Sequence, residues 1–253
     1  MLLDGKVAVV FGAGGAVGGA VARHFAEEGA AVFLSGRTSA SVEDVQRDIA
    51  AKGGTAQVAQ VDASNESDVE GYLADVAARA GAPDVVLNAI GIDAVQGVPL
   101  VELSLADFMF PIATWTSSQF LTSRVAARHM AQRGSGTILT LSASPATLAI
   151  AGTGGFGVAC ASVEALSRTL AAELGPAGIR VACLRPHRIG ETLSAPDYPM
   201  PEPEFREFLE GMTLLKRLPT LNDVARTAAF IASDGASAMS GSVVNLTCGM
   251  SVN

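Results

Sequence analysis

Apolar, β-branched runs of four to six residues alternate with longer segments of helical periodicity from one end of the chain to the other. The runs predict strands at Val7–Phe11, Ala31–Ser35, Ala56–Val61, Val85–Asn88, Thr137–Leu141, Ile179–Leu184 and Val243–Leu246. The segments between them predict helices at Ala16–Glu28, Ser41–Ala51, Glu66–Ala80, Ser104–Gln132, Gly157–Leu174 and Leu221–Ser233. A strand that reads as an unbroken apolar run is covered on both faces, which is the pattern of a parallel sheet. The alternation therefore predicts one α/β domain over residues 1–253, doubly wound, with a mostly parallel seven-stranded sheet and helices on both sides. Ser41 with Asp44 has the form of a capping box, and Gly53 and Gly175, the latter followed by Pro176, read as helix stops. Ile189–Pro203, with prolines at 196, 199, 201 and 203, breaks the pattern. It reads as a loop over the site, ahead of a short helix at Glu204–Gly211.

Composition narrows the class. A chain of 253 residues hides roughly 70–75% of its unfolded surface, and 27 glycines suit tight strand–helix turns. The net charge of −8, with no basic run, argues against nucleic acid. Three dispersed cysteines, Cys160, Cys183 and Cys248, have no metal-ligand spacing and fit reduced thiols in a cytoplasmic protein. Val7–Ala22 is uncharged up to its end, but its five glycines and lack of a basic leader suit a strand, turn and helix start better than a signal or membrane segment.

The turn in question is Gly12-Ala13-Gly14-Gly15-Ala16-Val17-Gly18, after the first strand and opening the first helix. Amide N–H groups at a helix N-terminus bind a pyrophosphate, and missing side chains let it approach, which is a Rossmann-type dinucleotide site. A turn kept only for close strand–helix packing is the alternative. After the second strand comes Ser35-Gly36-Arg37. An NAD site places a carboxylate here for the ribose 2′-OH, whereas an Arg fork suits a 2′-phosphate, so the pattern favours NADP(H) over NAD(H). A surface Arg at a helix entrance is the plainer reading. Asp62, past the third strand, is either an adenine-side carboxylate or a helix N-cap.

Together with Gly136-Thr137-Ile138-Leu139-Thr140-Leu141-Ser142, Ala171-Ala172-Glu173-Leu174 and Ile179-Arg180-Val181, these motifs resemble the short-chain dehydrogenase/reductase family over nearly the whole chain. The resemblance implies a nicotinamide cofactor. It is implied to be held by Gly12, Gly14, Gly15, Ala16, Val17, Gly18, Arg37, Asp62, Asn88, Gly91, Pro186, Ile189 and Thr192. Phe11 and Ala16 depart from the family's Thr-Gly-x-x-x-Gly-x-Gly, and Ala89 and Ile90 from its Asn-Asn-Ala-Gly. The family's proton chemistry rests on an Asn, a Ser and a Tyr-x-x-x-Lys pair. Aligned on the flanking residues, those places hold Trp115, Ala143, Phe156 and Cys160. A phenyl ring has no proton to give, and a thiol does not replace an ammonium.

Trp115, the only Trp, and Cys160 exchange a small polar residue for a large apolar one and a long cation for a short thiol. A close-packed interior accommodates such a paired change best, so Trp115 is expected against Cys160 and Phe156, with Pro111 setting the angle of its helix. Cys160 as a helix-start nucleophile is the alternative. His187, in Pro186-His187-Arg188-Ile189 where the family has Pro-Gly-x-Ile, brings a titratable ring towards the reaction centre. Ser142 and Ser144 flank Ala143 as possible donors.

Three functions stay open: an atypical NADP(H)-dependent oxidoreductase with a non-standard or substrate-supplied proton source, a catalytically silent cofactor-binding scaffold, and a non-redox lyase, isomerase or cyclase. The expected partner is a small apolar or aromatic molecule. By the resemblance, the chain assembles as a homo-oligomer, tetramer or dimer. Its interface is expected on a stripe of Ala159, Val163, Leu166 and Leu170 beside Ala126 and Met130.

Overall fold

The computed structural model describes residues 1–193 and 201–252. Seven parallel strands form one sheet in the order β3-β2-β1-β4-β5-β6-β7. They are β1 (Val7–Phe11), β2 (Ala31–Gly36), β3 (Thr55–Gln60), β4 (Val85–Asn88), β5 (Gly136–Leu141), β6 (Ile179–Pro186) and β7 (Ser242–Leu246). The helices are α1 (Ala16–Glu27), α2 (Ser39–Ala51), α3 (Glu66–Ala80), α4 (Leu105–Arg133), α5 (Gly155–Leu174), α6 (Glu202–Met212) and α7 (Leu221–Ala232). Period-two alternation divides β1 between two cores. Ala8 and Val10 pack with α1, α2 and α7, while Val9 and Phe11 pack with α3, α4 and α5. From β1 the chain winds outward through β2 and β3, then returns to β4 on the other side of β1. That reversal opens a crevice at the carboxyl ends of β1 and β4.

Several boundaries move. The expected capping box at Ser41 does not form: α2 starts at Ser39, and the Ser41 hydroxyl donates to the Thr38 carbonyl at 3.1 Å. A true box closes α7 instead, where Asp223 N–H donates to Thr220 Oγ1 at 3.0 Å and Thr220 N–H to Asp223 Oδ2 at 2.9 Å. Asp62 is not the cap of α3, since Asn65 accepts from Asp68 N–H there. Helix α6 begins at Glu202, two residues before the expected start, with Pro203 in the first turn, where its missing N–H costs nothing. The expected loop Ile189–Pro203 starts as a 3₁₀ turn at Gly190–Thr192, and its residues 194–200 lie outside the described residues.

Helix α5 also starts two residues early, at Gly155, because this glycine lets it press against α4. A Cβ at Gly155 would stand 1.9 Å from the Phe108 carbonyl oxygen and 3.1 Å from Pro111 Cγ. The stripe expected at a subunit interface faces inward. Ala159, Val163, Leu170, Ala126 and Met130 are buried within the single chain, and Leu166 packs on the same core. Hydrophobic periodicity marked the core-facing side, as it does for most helices. Among the described residues no helix is long and apolar enough to cross a membrane.

Candidate active site

Two hollows lie at the carboxyl end of the sheet, and the Gly-rich turn borders both. The first, about 250 Å³, is lined by Gly12, Gly14, Gly15, Arg37, Asp62 and Gly91 among others. Gly12 adopts φ +73°, and a Cβ there would meet the Ala89 carbonyl oxygen at 2.6 Å. A Cβ on Gly18 would stand 2.3 Å from the Gly12 oxygen, and one on Gly14 would stand 2.2 Å from Ser41 Oγ. These three glycines are demanded by the chain's own packing. Gly15 and Gly91 differ: nothing lies within 4 Å of a Cβ on Gly91, and only the Gly12 oxygen, at 3.4 Å, approaches one on Gly15. Gly15 is the N-cap of α1 and offers no side-chain bond, and the first turn carries no acid. The N-terminal donors of α1 are therefore open to an anion from the cleft. The Ala16 methyl is exposed and takes no part in the lining.

Arg37 is exposed at the cleft wall. Asp62 accepts from Ser64 N–H at 2.9 Å and Ser64 Oγ at 2.6 Å. Those bonds, with a smaller contribution from the Arg37 charge, hold its carboxyl below the usual range. Asn88 is a structural tie: its Nδ2 donates to Thr122 Oγ1 at 3.0 Å, and its Oδ1 accepts from Ile90 N–H at 3.1 Å. Asn88, Pro186 and Gly18 lie behind the cleft rather than in its lining. Thr38, Ser41, Ser64, Asp93 and Thr114 also line it and were not anticipated.

The second hollow, about 430 Å³, is mostly apolar. Val17, Ala143, Ser144, Phe156, His187, Ile189 and Thr192 line it, with Phe205, Phe208, Leu209 and Met212 from α6. The α6 contribution was legible in principle, since 205, 208, 209 and 212 follow helical spacing.

Behind its wall lies a small third core of Trp115, Ala159, Cys160, Val163 and Cys183, against which Phe156 packs. The Trp115 and Phe156 rings stack with centroids 5.5 Å apart and planes 18° from parallel. Trp115 Nε1 is buried without an acceptor among the described residues. Cys160 is fully buried in the second turn of α5, not the first. Burial pushes its thiol up to about 12. Full burial favours the packing reading of Cys160 over the nucleophile alternative, since a thiol in an apolar core stays protonated.

Ser142 does not face the hollow. Its hydroxyl donates at 2.8 Å to Glu164 Oε1, which is paired with Arg185 through Nε at 2.7 Å. A second Arg185 nitrogen reaches Glu164 Oε2 at 2.9 Å. This buried, bidentate pair ties α5 to the end of β6, directly before His187, and no sequence spacing announced it. Ser144 Oγ and His187 Nδ1 are 2.8 Å apart. His187 is buried, and its Nε2 has no partner among the described residues. Burial, with a smaller push from the Arg188 charge, lowers its pKa to about 4. The ring is therefore neutral at pH 7.

A doubly wound sheet with an uncapped Gly-rich turn at its switch point defines a dinucleotide-fold protein. Comparison specifies it further: the chain belongs to the short-chain dehydrogenase/reductase family, whose members are oxidoreductases using NAD(H) or NADP(H). A family model described as "Enoyl-(Acyl carrier protein) reductase" matches residues 12–251. The chain is 32% identical to cis-4-hydroxycyclohexanecarboxylate dehydrogenase of Sinomonas cyclohexanicum, over 94% of each chain. It is 28% identical to an NADPH-dependent aldehyde reductase-like protein of Arabidopsis thaliana, over 98% of this chain and 94% of that one. A short-chain dehydrogenase/reductase from Serratia marcescens BCRC 10948 superposes with a TM-score of 0.88 at 26% identity, covering 100% of both chains.

Proposed function

We propose that this oxidoreductase uses NADP(H), acts on a compact apolar substrate, and works without the family's Tyr–Lys proton relay. One observation carries the cofactor choice: Arg37 stands at the cleft wall, and Gly36 occupies the place of a ribose-binding carboxylate. Gly12, Gly15, Gly91 and the open N-terminus of α1 would hold the pyrophosphate side, with Arg37 at the 2′-phosphate. When bound, the nicotinamide gives or takes a hydride.

The remaining chemistry belongs to the chain. Phe156 and Met212 line the apolar hollow, whose α6 side stays open to solvent at Phe208 and Met212. Trp115 and Cys160 back Phe156 with packed hydrocarbon and sulfur in place of a titrating pair. Losing a positioned general acid typically costs about 10²–10⁴ in rate, so unactivated ketones should be reduced slowly. Acceptors whose product charge is delocalised, such as an activated C=C bond, need that acid less. The Sinomonas relative is named for an alicyclic ring that carries a hydroxyl and a carboxylate; its ring, though not its charge, matches the apolar lining of the hollow.

The same dry core supports a second reading, a cofactor-binding protein without turnover. A homo-oligomer is proposed as well, through the outer faces of α4 and α5, where Phe120 and Val158 are exposed.

Calorimetric titration with each cofactor tests the reading. NADPH should bind at least tenfold more tightly than NADH, and Arg37→Ala should reduce that ratio to about twofold. Equal affinities in the unmodified protein would refute the cofactor assignment. Tight NADPH binding without turnover on any carbonyl or alkene would favour the silent alternative.

A further inference from the structure

We infer that Arg188 is a specificity-determining residue at the mouth of the apolar hollow, and that the substrate it selects is a monocarboxylate, an apolar body with its one carboxylate at the end away from the reacting carbon. The inference rests on the oxidoreductase reading and deepens it by naming the substrate class.

Position comes first. Val17, Ile189 and Thr192 go to the cofactor on the proposed reading, so the substrate meets the rest of the wall, chiefly Phe156, Phe208, Leu209 and Met212. Those side chains bury an apolar body but recognise no polar group. Arg188 belongs to the same lining and, unlike its neighbours His187 and Ile189, is exposed. The hollow also opens to solvent on its α6 side, where Phe208 and Met212 are exposed. A ligand seated on the apolar wall therefore meets a guanidinium where it reaches water.

Charge follows. Among the described residues the lining carries one guanidinium and no carboxylate, in a chain whose net charge is −8. The acids of the adjoining segments are engaged elsewhere: Glu191 accepts from Leu221 N–H at 3.2 Å, and Glu202 is paired with Arg206 at 3.1 Å. Arg206 also donates to the Gly190 carbonyl at 2.8 Å; it braces the loop and is not part of the lining. His187 is neutral, in part because the Arg188 charge stands near it, and adds no second cation. A guanidinium presents five N–H donors in a planar fork, so a surface contact of its own still leaves donors for a carboxylate, which it meets bidentately. One cation balances one negative charge. A phosphate dianion would leave its second charge beside apolar walls, which is costly. Held at the mouth, the carboxylate fixes which end of the substrate points inward, and orientation of this kind is a large part of catalysis.

The test uses the full chain, first without cofactor, so that a failed cofactor assignment is not mistaken for failure of this inference. Cyclohexylacetate, cyclohexylacetamide and 2-cyclohexylethylammonium are titrated by calorimetry at neutral pH and low salt. The carboxylate should bind roughly tenfold more tightly than the amide, and the ammonium more weakly than either. In about 0.5 M salt the preference should shrink to about threefold. In Arg188→Gln the carboxylate and amide should fall within about twofold of one another, and Arg188→Lys, with the charge but not the fork, should keep part of the preference. Phe208→Ala should weaken both ligands alike, which ties the preference to this hollow. A carboxylate no tighter than the amide in the unmodified protein, absence of binding included, would overturn the inference. So would a preference that survives Arg188→Gln, binding that ignores Phe208→Ala, or cyclohexylmethylphosphonate binding more tightly than the carboxylate. A separate NADPH titration distinguishes substrate from cofactor: Arg188→Gln should change NADPH affinity less than about threefold, whereas a loss of about tenfold would assign Arg188 to the cofactor's phosphates and overturn the inference.

Discussion

The two hollows differ in what holds them open. The proposed cofactor cleft rests largely on backbone: glycines at close approach, a helix start without a side-chain cap, and strand ends in fixed register. The proposed substrate hollow and the core behind it are made of side chains. If the proposed reading holds, the difference teaches why one half can follow a family pattern while the other departs from it. A Cβ at Gly12 or Gly18 collides with backbone 2.6 or 2.3 Å away, which no neighbour can relieve by changing rotamer. On the proposed reading, a side-chain relay can be exchanged for a stacked Trp–Phe pair and a thiol, because neighbouring side chains close around the new shapes.

If that contrast is right, the packed half should be costly to reverse piecemeal. Trp115→Asn places an amide in an apolar core and removes the ring stacked on Phe156. It should destabilise the fold by roughly 3–5 kcal/mol in denaturant unfolding and change NADPH affinity less than threefold. A neutral Trp115→Asn would mean that water and polar partners already reach this core.

A pH effect of somewhat smaller size comes from His187. Its folded pKa of about 4 lies below the ordinary 6.5. The unfolded chain then takes up its proton first, and stability falls as pH is lowered from 6.5 towards 4. The loss should be roughly 2–3 kcal/mol. Most of that stability should be gone by about pH 4, while the lowered carboxyls of Glu27, Asp62 and Asp223 add their own loss from about pH 5 downward. His187→Leu should remove the slope between about pH 6.5 and 5; an unchanged slope there in the variant would assign it elsewhere.

The cleft should show the opposite balance. Gly18→Ala should cost about 1–3 kcal/mol through overpacking. Gly15→Val, at an exposed position with room for a Cβ, should leave the melting midpoint within about 2 °C while weakening NADPH at least tenfold. Gly15→Val binding NADPH normally would remove the turn from the cofactor site.

How much of this was legible follows the same division. Strands β1, β2 and β4 were readable nearly to the residue, since a doubly covered strand is an uninterrupted apolar run. The Gly-rich turn, Arg37 and Asp62 come together in one cleft as expected, because backbone topology brings strand ends together whatever the side chains. The expected neighbourhood of Trp115, Cys160 and Phe156 falls in one small core, while the stacking of Trp115 on Phe156 itself was not read from the sequence. Side-chain partnerships across the chain were not legible either. Glu164 and Arg185 stand 21 positions apart with no periodic signal, and Ser142 could not be known to serve them rather than a substrate. The α5 stripe misled because a helix face apolar enough for an interface is equally apolar enough for a core, and here the core claimed it.

The most direct test of the central claim is the NADPH-oxidation rate with an unactivated cyclic ketone. It is measured for the unmodified protein and for the variant carrying Trp115→Asn, Ala143→Ser, Phe156→Tyr and Cys160→Lys together, after both are shown to bind NADPH. The account predicts that the unmodified protein is at least about 10²-fold slower than the variant, with no enzyme group titrating in its rate between pH 7 and 10. An unmodified protein that matches the variant, or turns over at the ~10 s⁻¹ of an ordinary enzyme, would contradict it.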